Sequence, residues 1–206
     1  MLIQWLGHAC FKITAEDESL VIDPFEDGSV PGYRPVRESA NMVLCSHQHH
    51  DHNAVGCIRL LPAGRAFEVE KLESFHDDQM GAKRGPNTIH VITAEGYRVA
   101  HLGDLGCDLT FEQAEELRDL DVLMIPVGGY FTIDALQAAR IVKQLRPRIT
   151  IPMHYHEGDL GYEVLGSVQE FTDRFEKVIW LTSDTLELSD ELQDEIIVLD
   201  YPQNIH

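Results

Sequence analysis

The chain has 206 residues, which suits a single domain (residues 1–206) with a sizeable core. Its 16 lysines and arginines stand against 35 aspartates and glutamates, and the formal net charge is −19. This acidity argues against a nucleic-acid partner and against an anionic membrane surface, because both are bound through clustered basic residues.

The first half of the chain predicts mainly strands, in five segments. They are LIQWL, CFKITA, SLVID, NMVLCS and RAFEVEKLESFH. Between the last two, NAVGCIRLLPAG predicts a short helix that ends at Pro62 and Gly64. The segment NTIHVITAEGYRVAHLGD then predicts a hairpin that turns at Glu95-Gly96.

Strands and helices alternate in the second half. Further strands are predicted for DVLMIPV, RITIPMHYH, VIWL, TLEL and EIIVL, and helices for TFEQAEELRDL, DALQAARIVKQL and SVQEFTDRFEKV. Thr110 and Gln113 stand at capping-box spacing, and Asp134 suits an N-cap. Ser167 and Glu170 repeat the capping-box spacing. The order of elements indicates sheets covered by helices, an α/β or α+β fold.

The densest functional signal is the segment HQHHDH, which follows the strand NMVLCS. His47 and His49 are alternate residues, so on an extended segment both side chains can point at one ion. Asp51 and His52 lie past the bend and can reach a second ion nearby. Imidazole and carboxylate ligands suit Zn, Mn or Fe.

Three later residues follow the ends of other predicted strands: His76, Asp104 and His154. Loops beyond strand ends commonly carry function, and four such loops with N and O ligands suggest one shared metal site. His76 can complete the first set of ligands and His154 the second, while Asp104 can bridge both ions. His156 is the alternative to His154, because it follows two residues later and points the same way on an extended segment.

The ordered pattern resembles the metallo-β-lactamase superfamily over essentially the whole chain. It is most similar to the compact branch that contains ascorbate-6-phosphate lactonase, on the segments WLGHACF, IDPF, SFHD, GAKRGPNT, PVGG and PMHY. The resemblance implies an α/β fold, a four-layer αβ/βα sandwich of two mixed sheets flanked by helices. The ligands that it implies are His47, His49 and His76 for a first metal, Asp51, His52 and His154 for a second, and Asp104 as the bridge.

The resemblance also indicates a branch of the superfamily and a metal cofactor. True β-lactamases usually have a cysteine where this chain has Asp104, so the lactonase, glyoxalase and phosphodiesterase branches are the closer match. The implied cofactor is a pair of divalent ions, zinc first, with manganese or iron as alternatives. His8 and Asp23 resemble positions near the family's site and are interpreted as supports that fix loops or orient imidazoles.

These features predict a metal-dependent hydrolase. A water shared by two ions can ionise near pH 7, and the hydroxide would attack an ester, lactone or phosphodiester. Besides their ligand roles, Asp51 and Asp104 are expected to act in catalysis, and Asp51 or a nearby histidine would protonate the leaving group. The basic pair Lys83-Arg84 is predicted to bind a phosphate or carboxylate of the substrate.

Three other functions stay open on the sequence: a phosphodiesterase or phospholipase D-like activity, a di-iron redox protein, and a metal-binding protein without catalysis. The amino-terminal segment MLIQWLGHACF does not resemble a secretory leader, and the four cysteines form no CxxC pair. We therefore expect reduced thiols, a cytoplasmic location and a small-molecule substrate. The sequence is compatible with a homo-oligomer.

Overall fold

Two mixed β-sheets dominate the fold in the computed structural model, which describes residues 1–193 and 195–202. The strands are β1 (Leu2–Gly7), β2 (Cys10–Ala15), β3 (Glu18–Ile22), β4 (Ser39–Ala40), β5 (Met42–Leu44), β6 (Arg59–Leu60), β7 (Glu68–Phe75), β8 (Pro86–Ala94), β9 (Tyr97–His101), β10 (Val122–Pro126), β11 (Ile149–Met153), β12 (Val178–Trp180), β13 (Thr185–Glu187) and β14 (Glu195–Val198). The α-helices are α1 (Phe111–Glu116), α2 (Ala135–Leu145) and α3 (Val168–Thr172).

One sheet has five strands in the order β13-β1-β2-β3-β5, antiparallel except for the pair β3 and β5. The other has seven strands in the order β12-β14-β11-β10-β9-β8-β7. Its strands are parallel from β12 to β9, and β8 runs antiparallel to both of its neighbours. This mixed architecture confirms the predicted fold class.

One continuous apolar cluster lies between the sheets and draws buried side chains from both. Strands β10 and β11 are buried along their whole length, as expected for parallel strands covered on both faces. The side chain of His101 in β9 reaches toward the other sheet, and its Nε2 lies 2.8 Å from the carbonyl oxygen of Ala9 in the turn between β1 and β2. His90 is buried in β8. Both histidines are strand residues.

Helices α1 and α2 begin with the predicted caps. Thr110 forms a complete capping box with Gln113, and Asp134 forms one with Gln137. The capping box predicted at Ser167 is wrong, because the Ser167 side chain makes no cap hydrogen bond at the start of α3. The longest helix among residues 1–193 and 195–202 has 11 residues, and none there is long and apolar enough to cross a membrane.

The helix predicted in NAVGCIRLLPAG is wrong beyond a single 3₁₀ turn at Val55–Cys57. The chain then becomes extended, and β6 pairs in parallel with β4. The backbone N–H groups of Arg59 and Leu61 donate to carbonyls of the segment 38–40. Leu60 is 62% exposed, and Ile58 is the one buried side chain of residues 53–64, which is too few for the apolar face that would stabilise a helix.

The topology brings several loops to one edge. Strands β7, β9 and β11 run in the same direction within their sheet, so their carboxyl ends lie at the same edge. His76, Asp104 and His154 stand within three residues of those ends. The segment 46–52 follows β5 of the other sheet and meets them there.

Candidate metal centre

The predicted ligands converge into two groups, within each of which the nitrogen and oxygen atoms lie within 4.8 Å of one another, and a third group of His47, His52 and Asp104 joins the two. The first contains His47, His49 and His76, and the second contains His8, Asp51, His52 and His154. Both groups follow the division expected from the sequence, with His8 as an addition. His156 belongs to neither group, and its backbone N–H donates to Gly166.

Asp104 lies between the two groups. Its Oδ2 is 3.2 Å from Nε2 of both His76 and His154, which belong to different groups. Its Oδ1 is 3.2 Å from Nε2 of His52. Burial alone would raise the pKa of Asp104, but the charges of His154 and His52 outweigh burial and hold the pKa well below its usual range. The ionised carboxylate therefore faces the ligands of both groups.

The donor set fits divalent metal ions. Nε2 of His47, His52 and His154 and Oδ1 of Asp104 are buried, and among residues 1–193 and 195–202 none of them makes a contact with hydrogen-bond geometry, although Asp104 lies 3.2 Å from His52 and His154. Each such buried atom would otherwise cost about 1–3 kcal/mol. Imidazole nitrogens and carboxylate oxygens directed at a common point are ligands for zinc, manganese or iron.

Asp23 orients imidazoles in both groups. Its Oδ2 lies 2.9 Å from Nδ1 of His52 and accepts a hydrogen bond of 2.6 Å from Oγ of Ser46. Ser46 Oγ in turn lies 2.9 Å from Nδ1 of His47. With Nδ1 held in this way, Nε2 of each ring is directed toward Asp104, the arrangement that supports metal-binding histidines. Burial alone would raise the pKa of Asp23, but the hydrogen bonds with His52 and Ser46 and the charges of nearby histidines together outweigh it and lower the pKa to about 2.

Sequence reasoning missed two of these supporting residues. Ser46 gave no signal beyond its position just before His47. Asn87 fixes Asp104, since its Oδ1 accepts the Asp104 backbone N–H at 2.9 Å and its Nδ2 donates to the Leu102 carbonyl at 2.9 Å. A signal for Asn87 was available, because a buried amide at the start of the largely apolar strand β8 needs polar partners.

Several site residues have a left-handed backbone. The φ angles of His8, Asp23 and His154 are 54°, 51° and 55°. For residues other than glycine this conformation costs about 1–2 kcal/mol, and such strain concentrates at functional sites. The local turns therefore serve to aim these three side chains at the cluster.

The cluster opens onto a cavity of about 410 Å³. The side chains that line it are His49, His50, Asp51, His76, Arg84, Asp104, Phe131 and Tyr162. Phe131 and Tyr162 were not predicted, because they lie on loops without a recognisable motif. The Tyr162 hydroxyl lies 2.9 Å from the Ser29 carbonyl oxygen and 3.4 Å from Oδ2 of Asp51.

The structure separates the two members of the basic pair. Arg84 lines the cavity, where its guanidinium stands 5.6 Å from the centre of the Phe131 ring and donates to the Tyr130 carbonyl at 3.0 Å. Lys83 is absent from the cavity lining and forms an exposed ion pair with Asp78 at 3.1 Å. Only Arg84 is thus placed to contact a bound anion.

Asp77 shapes the loop that carries Arg84. One carboxylate oxygen accepts the backbone N–H groups of Gln79 and Gly81 at 2.8 and 3.0 Å. The other oxygen accepts those of Lys83 and Arg84 at 2.9 and 2.8 Å. Burial tends to raise the pKa of Asp77, but these four donors outweigh it and lower the pKa to about 2. The ionised carboxylate is the centre of the loop.

Asp77→Asn should loosen this loop, because the new NH₂ group would face two backbone donors and accept neither. The expected loss is about 1–3 kcal/mol in the free energy of unfolding, as for other buried hydrogen bonds to a charged group. Urea denaturation measures the loss of stability. Hydrogen exchange at residues 79–84 measures the loosening of the loop and should become faster. Asp78→Asn removes the same charge from the exposed neighbouring residue and is the control. Exchange rates in Asp77→Asn that match those of the wild type would contradict this role.

Comparisons with known proteins agree with the fold and the site. The family model described as the beta-lactamase superfamily domain matches residues 2–154. A UPF0173 metal-dependent hydrolase of Pyrobaculum neutrophilum is 30% identical, over 76% of this chain and 84% of the relative. One from Hyperthermus butylicus is 26% identical, over 75% of this chain and 83% of the relative.

A solved structure from Thermotoga maritima, described as a proposed Zn-dependent hydrolase of the metallo-beta-lactamase superfamily, superposes with a TM-score of 0.77. The two proteins are 32% identical, and the match covers 96% of this chain and 97% of the other. Fold and site thus define a metal-dependent hydrolase. The chain belongs to the metallo-β-lactamase superfamily, among the UPF0173 metal-dependent hydrolases.

Proposed function

We propose that the protein is a dinuclear hydrolase that cleaves an ester, lactone or phosphodiester bond in a small anionic substrate. The observation that carries this proposal is the position of Asp104, whose two oxygens face ligands of both groups at the base of an open cavity. Zinc is the proposed metal, and its mention in the description of the Thermotoga maritima protein supports this choice.

A pair of bound divalent ions would supply an acidified water and would polarise the oxygen that gains charge in the reaction. The residues of the chain position both reactants. Asp23 and Ser46 fix the imidazoles, and Arg84 presents a guanidinium to an anionic group of the substrate. Asp51 or a nearby histidine would give a proton to the leaving group, and the position of His50 in the cavity lining, outside both ligand groups, supports His50 as that histidine.

Metal analysis of the purified protein, followed by a substrate screen, tests this function. Elemental mass spectrometry should find two divalent ions per chain. A panel of lactones and phosphodiesters should then include a substrate whose turnover stops on treatment with a chelator and returns on addition of zinc or manganese. A protein without bound metal, or turnover that the chelator leaves unchanged, would contradict the proposal.

Arg84→Ala should raise the KM for an anionic substrate roughly tenfold or more, the scale of a lost charge-assisted hydrogen bond of about 1.5–3 kcal/mol. Metal content should stay the same, since Arg84 belongs to neither ligand group. The measurement is kinetics on two matched lactones, one phosphorylated and one neutral. Lys83→Ala removes an equal charge outside the cavity and is the control. Equal changes on both lactones would show that Arg84 does not bind the phosphate.

A further inference from the structure

His8 lies within the second group of candidate ligands. It occupies the turn between β1 and β2, and its side chain is fully buried. Its Nε2 is 3.7 Å from Oδ2 of Asp51, and its ring centre is 4.0 Å from that of His154. Two donor atoms that each lie about 2.1 Å from the same zinc ion can stand at most roughly 4.2 Å from one another. The spacing therefore suits ligands of one shared ion.

The hydrogen bonding of His8 differs from that of a supporting residue. Neither ring nitrogen has a hydrogen-bond partner within the part of the chain that the structure describes, and 3.7 Å to Asp51 is too long for a hydrogen bond. Asp23, by contrast, holds His52 Nδ1 at 2.9 Å. A residue that orients a neighbouring imidazole acts through such a side-chain contact, and among the described residues the His8 ring makes none with the neighbouring ligands.

The backbone holds His8 in a strained position. Its φ of 54° would suit glycine, and its carbonyl accepts hydrogen bonds from the Trp5 indole at 3.0 Å and from the His154 backbone at 3.3 Å. The first of these bonds holds the turn against β1, and the second links it to the loop that carries His154. A strained histidine where glycine would fit indicates that the side chain itself has a role.

We propose that His8 is a direct ligand of the second metal ion, which it would bind together with Asp51, His52 and His154. The inference rests on the proposed function, because it assumes that the cluster binds metal. With four ligands from this group, the second ion is enclosed more completely than the first, whose ligand His49 is exposed. The second ion should then be the tighter-bound of the two, and the first should exchange more readily.

The test is cobalt binding to the wild type and to His8→Gly, a variant that keeps the left-handed turn without strain. Visible absorption reports the ligand field of each ion, and competition with a chromogenic chelator gives its Kd. We expect wild type to bind two ions. In His8→Gly the first ion should bind as before, and the second should bind at least about 100-fold more weakly, beyond the usual effect of a lost supporting residue.

Addition of free imidazole separates ligation from packing. Imidazole fits the space that the side chain leaves, so it should restore the wild-type absorption of the second ion in His8→Gly. His156→Ala, which removes a partly buried histidine outside both ligand groups, is the control and should bind both ions normally. If His8→Gly does not fold, as judged by circular dichroism, His8→Asn replaces it, because asparagine also tolerates this backbone conformation.

The two proposals fail in different ways. A wild type that binds two ions, with unchanged affinity and absorption of both in the His8 variant, overturns the role of His8 and leaves the proposed function intact. Weaker binding that imidazole does not restore assigns His8 to packing and also overturns the inference. A wild type that binds no ion contradicts the proposed function, and the role of His8 with it.

Discussion

Asp104→Ala should remove at least one metal ion per chain and lower turnover at least about a thousandfold, since the ions and their bridge supply several kcal/mol of transition-state stabilisation. Asp104 is the carboxylate that contacts both groups, so its loss removes a ligand from each and leaves buried imidazoles without their negative partner. Metal content after gel filtration and turnover of the substrate found in the screen are the two measurements.

Two variants make the Asp104 result specific. Asp104→Asn keeps the shape of the side chain and removes the charge, so it should lose metal affinity without opening a cavity. Asp108→Ala removes a carboxylate from the exposed part of the same loop and should behave as the wild type. An Asp104→Ala protein with two tightly bound ions and full turnover would show that the dinuclear interpretation is wrong.

The ligand pattern could be predicted because it depends on local rules. Each candidate ligand follows the end of a strand, and strands that run in the same direction end at one edge of a sheet. Local rules could not decide whether His154 or His156 is the ligand. Two-residue spacing predicts that both point the same way, but His154 has a φ of 55°, so the extended conformation ends there and the alternation is lost.

The residues that support the ligands depend on contacts between distant parts of the chain. Asp23 reaches His52 across 29 positions, and Asn87 reaches Asp104 across 17. His8 meets the end of β11 only because the two sheets pack against each other. Spacing along the sequence gives no measure of such distances. Only the resemblance drew attention to His8 and Asp23.

The sequence also could not show that adjacent residues of one loop would have different surroundings. Lys83 and Arg84 form one basic pair there, and the structure directs only Arg84 into the cavity. The loop conformation that separates them depends on Asp77, whose carboxylate binds four backbone N–H groups. The failed helix prediction at residues 53–64 has a similar cause, because pairing with β4 is decided by a distant segment.

His76→Ala and His154→Ala should empty different sites. His76 belongs to the first ligand group and His154 to the second, and Asp104 Oδ2 lies 3.2 Å from each. Each variant should therefore retain one ion, and both should lose turnover by at least about a hundredfold, since a dinuclear mechanism uses both ions. Cobalt absorption identifies the ion that remains, and the two spectra should together reproduce that of the wild type.

His156→Ala is the matched control, because His156 lies outside both groups. Normal metal content in His154→Ala together with loss in His156→Ala would assign the ligand to the other histidine, and loss of the same ion in His76→Ala and His154→Ala would contradict the division into two groups.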